Sequence, residues 1–174
     1  YSWREITSVD GFKFKEGFQL LYKSVANISQ NIDNIPSYLK DDIMAILQQV
    51  SRYMLRPLSV LNGKIVNVSA CKYNLLQQYL EFFRQYPAIA RVYLAGSALT
   101  EECRDKSDLD FLIVIKDGVD MDTFIRDTPF EEVGYDDYIF VTSNEWEQYC
   151  ASPKQSSAFY WNVLNKGVLI YESH

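Results

Sequence analysis

Val92-Tyr-Leu-Ala-Gly96-Ser97, then ten residues, then Asp108-Leu-Asp110-Phe-Leu-Ile-Val-Ile115 is the stretch from which the rest of the chain is read. Ala90 to Ala95 has the composition of a buried strand, and it stops at Gly96. A glycine at a strand end lets the backbone approach a ligand closely, and the N–H groups that follow can bind phosphate oxygens together with the Ser97 hydroxyl. Leu109 to Lys116 reads as a second buried strand, closed by the turn signal Asp117-Gly118. Asp108 and Asp110 are two apart, so on a strand both side chains leave from one face. Two carboxylates ~5 Å apart repel by about 3 kcal/mol at an effective dielectric of ~20. A divalent cation is the usual offset. Oxygen-only ligands, with no His or Cys beside them, favour Mg²⁺ or Mn²⁺.

A third carboxylate would complete such a site, and Asp136-Asp137 opens the next strand, Asp137 to Thr142. One residue of register flips the face, so Asp137 and Asp136 compete for the role. Two metals held ~3.5–4 Å apart by three carboxylates can activate a hydroxyl and stabilise a leaving pyrophosphate. The only histidine is His174, which leaves no Ser/His/Asp or Cys/His set. A phosphate cradle beside a carboxylate cluster points to phosphoryl or nucleotidyl transfer.

Working outward, the chain changes character near Pro87. Before it the pattern is helical. Lys15 to Ile28 shows three- and four-residue apolar spacing, and a second helix is expected from Pro36 to Met54, ending before Pro57. A third, from about Ser69 to Tyr86, carries Leu75, Leu76, Tyr79, Leu80, Phe83 and Tyr86 on one stripe, with Ser69 as N-cap and Pro87 as stop. After Pro87 strands alternate with helices. Asp120 to Asp127 is expected to form a short helix, and Thr142 with Glu145 has the spacing of a capping box. A last helix from Ser157 to Asn165 is expected to close at Gly167 in a left-handed cap, before a short strand Val168 to Tyr171. The expected class is α/β (α+β): a small mixed sheet with helices packed on it over residues 69–174, preceded by a helical N-terminal extension over residues 1–68.

Composition bounds the partners. The 174 residues carry 17 Lys plus Arg against 23 Asp plus Glu, for a net charge of −6. That balance disfavours long nucleic acids, whose phosphates are held by a basic footprint, but not a small nucleotide whose charge a metal offsets. Cys71, Cys103 and Cys150 are odd in number, far apart and without metal-ligand spacing. The longest apolar run, Phe111 to Ile115, is far short of the ~20 residues of a membrane span. The first residues show no signal pattern, and the expected location is a reducing cytoplasm.

Gly-Ser, a spacer of about ten and Ser-Asp-x-Asp in an apolar strand resemble the signature of the DNA polymerase beta-like nucleotidyltransferase superfamily, in particular its small, minimal microbial domains. Downstream, Asp137-Tyr-Ile-Phe-Val-Thr-Ser-Asn-Glu-Trp resembles the family's third-carboxylate strand and the helix after it. Phe159-Tyr-Trp-Asn-Val-Leu-Asn-Lys-Gly-Val-Leu-Ile-Tyr-Glu resembles its closing helix and strand. The likeness covers about residues 70 to 172, and the first 65 residues resemble no family. It implies that Gly96 and Ser97 bind the β- and γ-phosphates of ATP or another nucleoside triphosphate. Asp108, Asp110 and Asp137 become metal ligands, with Asp137 helping to deprotonate the acceptor. Many minimal members carry a basic residue soon after Gly-Ser. Here Ala98 to Glu102 intervenes, which leaves Arg104 and Lys106 to face the triphosphate. The implied reaction moves a nucleoside monophosphate, AMP from ATP, onto a protein or small-molecule hydroxyl. The alternative is an inactive nucleotide- or partner-binding module, as in a toxin–antitoxin pair. The N-terminal helices are the candidate surface for a partner or a second copy.

Overall fold

The computed structural model describes residues 31–174 throughout, and Leu20, Lys23, Ser24, Asn27, Ile28 and Gln30 before them. Most of the helix expected at Lys15 to Ile28 lies outside the described residues. The chain divides into two compact units at Met54/Leu55.

In the first unit, α1 spans Ser37–Ser51 behind Pro36, which sits at the cap position where its missing N–H costs no helical bond. This is the helix expected from the Pro36 signal. Tyr38, Met44 and Ile46 are exposed along it.

The second unit opens with a β-hairpin where the sequence reading had continued a helical extension to residue 68. Strand β1, Leu55–Leu61, pairs antiparallel with β2, Lys64–Ser69. Asn62 and Gly63 between them both take positive φ, 30° and 84°, as the tight turn of such a hairpin requires. Leu58, Val60, Val66 and Val68 alternate inward and are buried. Pro57 follows the end of α1 as expected, and sits in a strand. Ser69 ends β2 and stands, as expected, at the cap position of the helical segment, though its side chain makes no capping bond there: a 3-10 turn, Ala70–Lys72, leads directly into α2, Tyr73–Arg84, which stops before Pro87.

The main sheet has the order β5-β4-β3-β6. Its strands are β3 (Ile89–Ala95), β4 (Asp110–Ile115), β5 (Asp137–Thr142) and β6 (Val168–Glu172). β3 runs antiparallel to both β4 and β6, whereas β4 and β5 are parallel. Parallel neighbours need a crossover, and α3 (Met121–Asp127), capped by Asp120, lies in it. α4 (Ser143–Ala151) follows β5 at once, opened by the expected Thr142–Glu145 capping box. α5 (Ala158–Lys166) leads into β6. Gly167 is extended (φ −70°), not left-handed; glycine is needed because a Cβ there would meet the Val163 carbonyl oxygen at 2.5 Å.

Both faces of the sheet are covered, which is why β4 is apolar at every position after Asp110. Phe111, Ile113 and Ile115 pack with Tyr79, Phe83 and the hairpin residues Leu58 and Val68. Leu112 and Val114 face the other way, into a second cluster with Val141, Trp146 and Val163. By strand alternation Asp110 belongs to this second face, at the start of β4. Among the described residues no helix is long and apolar enough to cross a membrane.

Candidate active site

Three strands bring the sequence-selected residues to one end of the sheet. Ala95, the last residue of β3, pairs with Asp110, the first of β4, and Asp110 pairs in register with Asp137, the first of β5. In a parallel pair residues in register share a face, so Asp110 and Asp137 stand side by side on it. The β5 ladder begins with the Asp137 N–H donating to the Leu109 carbonyl at 2.9 Å. Asp108 lies two residues before the first residue of β4 and is exposed. Its charge nonetheless acts on Asp110.

Gly96 follows Ala95 with φ +78°, a conformation that L side chains rarely adopt. A Cβ there would overlap Oδ2 of Asp110 and lie 3.1 Å from its Cγ. The glycine thus has two reasons to be a glycine, and the second is the packing of cradle against carboxylate. The turn Gly96–Leu99 is a single 3-10 turn, closed where the Thr100 N–H and hydroxyl both donate to the Ser97 carbonyl, at 2.9 and 2.8 Å. Ser97 is half-buried.

The electrostatics follow from this crowding. Burial pushes the Asp110 carboxyl above its ordinary range; the carboxylates of Asp137, Asp108 and Asp136 and a hydrogen bond shared with Asp137 push the same way. A hard divalent cation would reverse each of the charge effects, and the donors are all oxygen, so their chemistry fits Mg²⁺ or Mn²⁺. Among the described residues no three His, Cys, Asp or Glu side chains form a ready-made metal cage. The carboxylates are within electrostatic reach of one another and would have to draw together around an ion.

Asp136 and Asp137, adjacent in sequence, have different duties. Asp136 Oδ1 accepts the Leu109 N–H at 2.8 Å, and its Oδ2 accepts the Tyr79 hydroxyl at 2.5 Å. It therefore clamps the backbone between Asp108 and Asp110 to the start of β5 and to α2. Tyr79 is fully buried, and burial first, then its bond to Asp136, holds the phenol far above its ordinary range, so it stays a donor. The Tyr138 hydroxyl lies against it and donates to the Gly134 carbonyl at 2.6 Å. Gly134 makes room: a Cβ there would sit 2.6 Å from Asp136 Oδ2 and 2.7 Å from the Tyr79 oxygen. Asp137 is exposed. Of the two competitors, Asp137 is the one presented outward.

This division predicts opposite outcomes for neighbouring substitutions. Asp136→Ala strands two buried donors and should cost about 2–4 kcal/mol. Asp137→Ala, at an exposed position, should change stability by less than about 0.5 kcal/mol. Urea unfolding of the two variants is the check; similar losses would refute the assignment of duties. Tyr79 was legible only as one apolar position on a helical stripe, because nothing in sequence marks which buried tyrosine hydroxyl will find an acceptor 57 residues away.

Of the basic candidates, Arg104 turns onto its own loop, donating to the carbonyls of Glu101 at 3.1 Å and Cys103 at 2.9 Å. Lys106 is exposed.

No curated protein matches the chain. A crystal structure from Sulfolobus solfataricus, provisionally described as a nucleotidyltransferase, shares 24% identity over 57% of this chain and 78% of its own, with a TM-score of 0.37. The assignment rests instead on a family profile, Polymerase beta, Nucleotidyltransferase, which matches residues 77–174. That span holds Gly96, Asp108, Asp110 and Asp137 and exceeds half of the sequence. The chain belongs to the polymerase beta nucleotidyltransferase family.

Proposed function

We propose that this chain transfers a nucleoside monophosphate, AMP from ATP, to a hydroxyl of a protein or small-molecule acceptor and releases pyrophosphate. The observation that carries the reading is the meeting of Gly96, just past the end of β3, with Asp110 and Asp137 at the heads of β4 and β5, Gly96 being packed against the Asp110 carboxylate. Asp108, Asp110 and Asp137 are the residues that would hold Mg²⁺ or Mn²⁺. When bound, such an ion supplies charge neutralisation at the phosphates and makes a hydroxyl easier to deprotonate. The backbone N–H groups after Gly96 and the Ser97 hydroxyl orient the β- and γ-phosphates, and exposed Lys106 approaches them from the loop. Asp137 takes the proton of the acceptor. Catalysis is then positioning plus fixed charge at the α-phosphoryl group. The net charge of −6 favours acceptors other than long nucleic acids. The unpaired thiols of Cys71, Cys103 and Cys150 suit a reducing, cytoplasmic setting.

One observation favours a second reading, a nucleotide- or partner-binding module without turnover. Arg104 donates to two carbonyls of its own loop, which competes with the role at the triphosphate expected of it. The exposed Tyr38, Met44 and Ile46 of α1 would then serve a partner or a second copy.

The two readings separate in one assay. The protein is incubated with Mg²⁺ or Mn²⁺, each α-labelled nucleoside triphosphate in turn and host lysate, beside an Asp108→Ala/Asp110→Ala variant. Label appearing on a macromolecule or small product only with the wild type is expected, and its mobility classifies the acceptor. Nucleotide binding with no label transferred would move the assignment to the second reading.

A further inference from the structure

Cys71 and Cys103 are 32 residues apart in sequence, and the fold brings their sulfurs to 3.9 Å. Cys71 lies in the 3-10 turn Ala70–Lys72, between β2 and α2. Cys103 lies in the loop that joins the Gly96–Leu99 turn to Asp108. One further contact ties these segments together, and a second fixes Cys71 within its own segment. Lys72, only 6% exposed, donates through Nζ to the Asp105 carbonyl at 2.9 Å, and Ser69 Oγ lies 3.1 Å from Cys71 Sγ. Cys103 is fully buried and Cys71 half-buried. A disulfide needs a sulfur separation of ~2.05 Å, so closing this pair requires about 2 Å of side-chain rotation and loop movement.

We propose that Cys71 and Cys103 form a reversible disulfide that ties the loop carrying Asp108 to the start of α2. With hydrogen peroxide as oxidant, the more accessible Cys71 reacts first. Its thiolate attacks a peroxide oxygen, the O–O bond breaks, hydroxide leaves and a sulfenic acid forms. The Cys103 sulfur then attacks the Cys71 sulfur. The S–O bond breaks, water departs with the Cys103 proton, and the S–S bond forms. Two thiols lose two electrons in all, and one peroxide is reduced to two waters. A dithiol reductant restores both thiols by exchange. Burial pushes the Cys71 thiol up, and the Ser69 contact only partly opposes it, so the first step is slower than for a small free thiol. The loop sits between the cradle and Asp108, and fixing it therefore acts on the site without touching a carboxylate.

The test uses the full chain carrying Cys150→Ser, which removes the exposed third thiol. The protein is exposed to hydrogen peroxide, alkylated, and mapped by mass spectrometry without reduction. A peptide joining Cys71 to Cys103 is expected, with a loss of about 2 Da from the intact mass that dithiothreitol reverses. Amide exchange over residues 100–108 should slow by about fivefold or more in the oxidised form. Adding Cys71→Ser should abolish both effects while leaving the circular dichroism spectrum unchanged. Sulfinic acids or free thiols in place of the link, a link between molecules, or unchanged exchange over residues 100–108 would each overturn the proposal. None of these readouts involves a nucleotide, so their failure would leave the transfer reading untouched.

Discussion

Asp110→Asn should lose at least about a thousandfold in nucleotidyl transfer while becoming more heat-stable at neutral pH. The two effects share one cause. Burial, helped by the charges of Asp137, Asp108 and Asp136, holds the Asp110 carboxyl above its ordinary value. A carboxyl whose folded-state pKa is raised binds its proton more tightly folded than unfolded. Stability therefore falls as pH rises from the ordinary carboxylate range through the raised value, and the deficit is complete above it. Asparagine removes the charge and with it the deficit. The gain in Tm of Asp110→Asn should thus be present at pH 7.5 and shrink toward zero as pH is lowered through the carboxylate range, where the wild-type side chain is neutral in both states. Thermal melts of both proteins from pH 3 to pH 8 give the check, and a variant less stable than the wild type at pH 7.5 would refute it. The loss in transfer follows because an amide cannot take the place of a carboxylate at a divalent cation, and a thousandfold corresponds to about 4 kcal/mol of barrier. Mg²⁺ with a nucleoside triphosphate should raise the Tm of the wild type and not that of Asp110→Asn. A site can be destabilising by construction, because charges gathered to bind an ion repel one another without it.

Gly96→Ala should be the second large effect, and of the opposite kind, costing stability and activity together. The residue has φ +78°, where an L side chain is strained by about 1 kcal/mol or more. The added methyl would also overlap Oδ2 of Asp110, so either the turn or the carboxylate has to move. A total loss of about 1–3 kcal/mol is expected in urea unfolding. The same displacement misaligns the N–H groups after Gly96 with the carboxylates, and a shift on the order of 1 Å is enough to cost about a hundredfold in transfer. Nucleotide affinity, measured by titration, should weaken with it. Retention of full affinity by a folded Gly96→Ala protein would show that the turn does not bind phosphate. Gly118 provides the control: its φ is also positive, 83°, but a Cβ there meets nothing, so Gly118→Ala should pay backbone strain alone and leave transfer unchanged.

The two halves of the chain were not equally legible. After Pro87 each apolar segment is short, bounded by Gly, Asp or Pro, and either alternating or fully buried, so periodicity and punctuation agree. β3, β4, β5, α4 and β6 lie where those signals put them. The hairpin over residues 55–69 lies where a helical extension is expected, although Asn62-Gly63 between alternating apolar residues is the usual signature of such a turn. Pro57 fits a residue just past a helix end, but a proline is equally tolerated on an edge strand. The capping box at Thr142 was readable because both partners lie within four residues of each other. Gly167 showed the limit of such local reading: its place after a helix suggested a left-handed cap, but the Val163 carbonyl, not the backbone angle, requires glycine there.

At the site, sequence alone determined which residues to consider. Gly96 at the end of a strand, Asp108 and Asp110 at the head of an apolar run and an acidic pair before β5 are local facts, and they were enough to reach the family. Only the tertiary structure shows how the surroundings of Asp136 and Asp137 differ. One turns to the Leu109 amide and the Tyr79 hydroxyl, and the other opens outward beside Asp110. It also placed Asp108 off the strand, turned Arg104 onto its own loop and brought Cys71 against Cys103. The reason is physical. Local patterns record what each segment buries, whereas the partner of a buried hydroxyl, a carboxylate or a thiol is set by strand register and crossover, which join residues tens of positions apart.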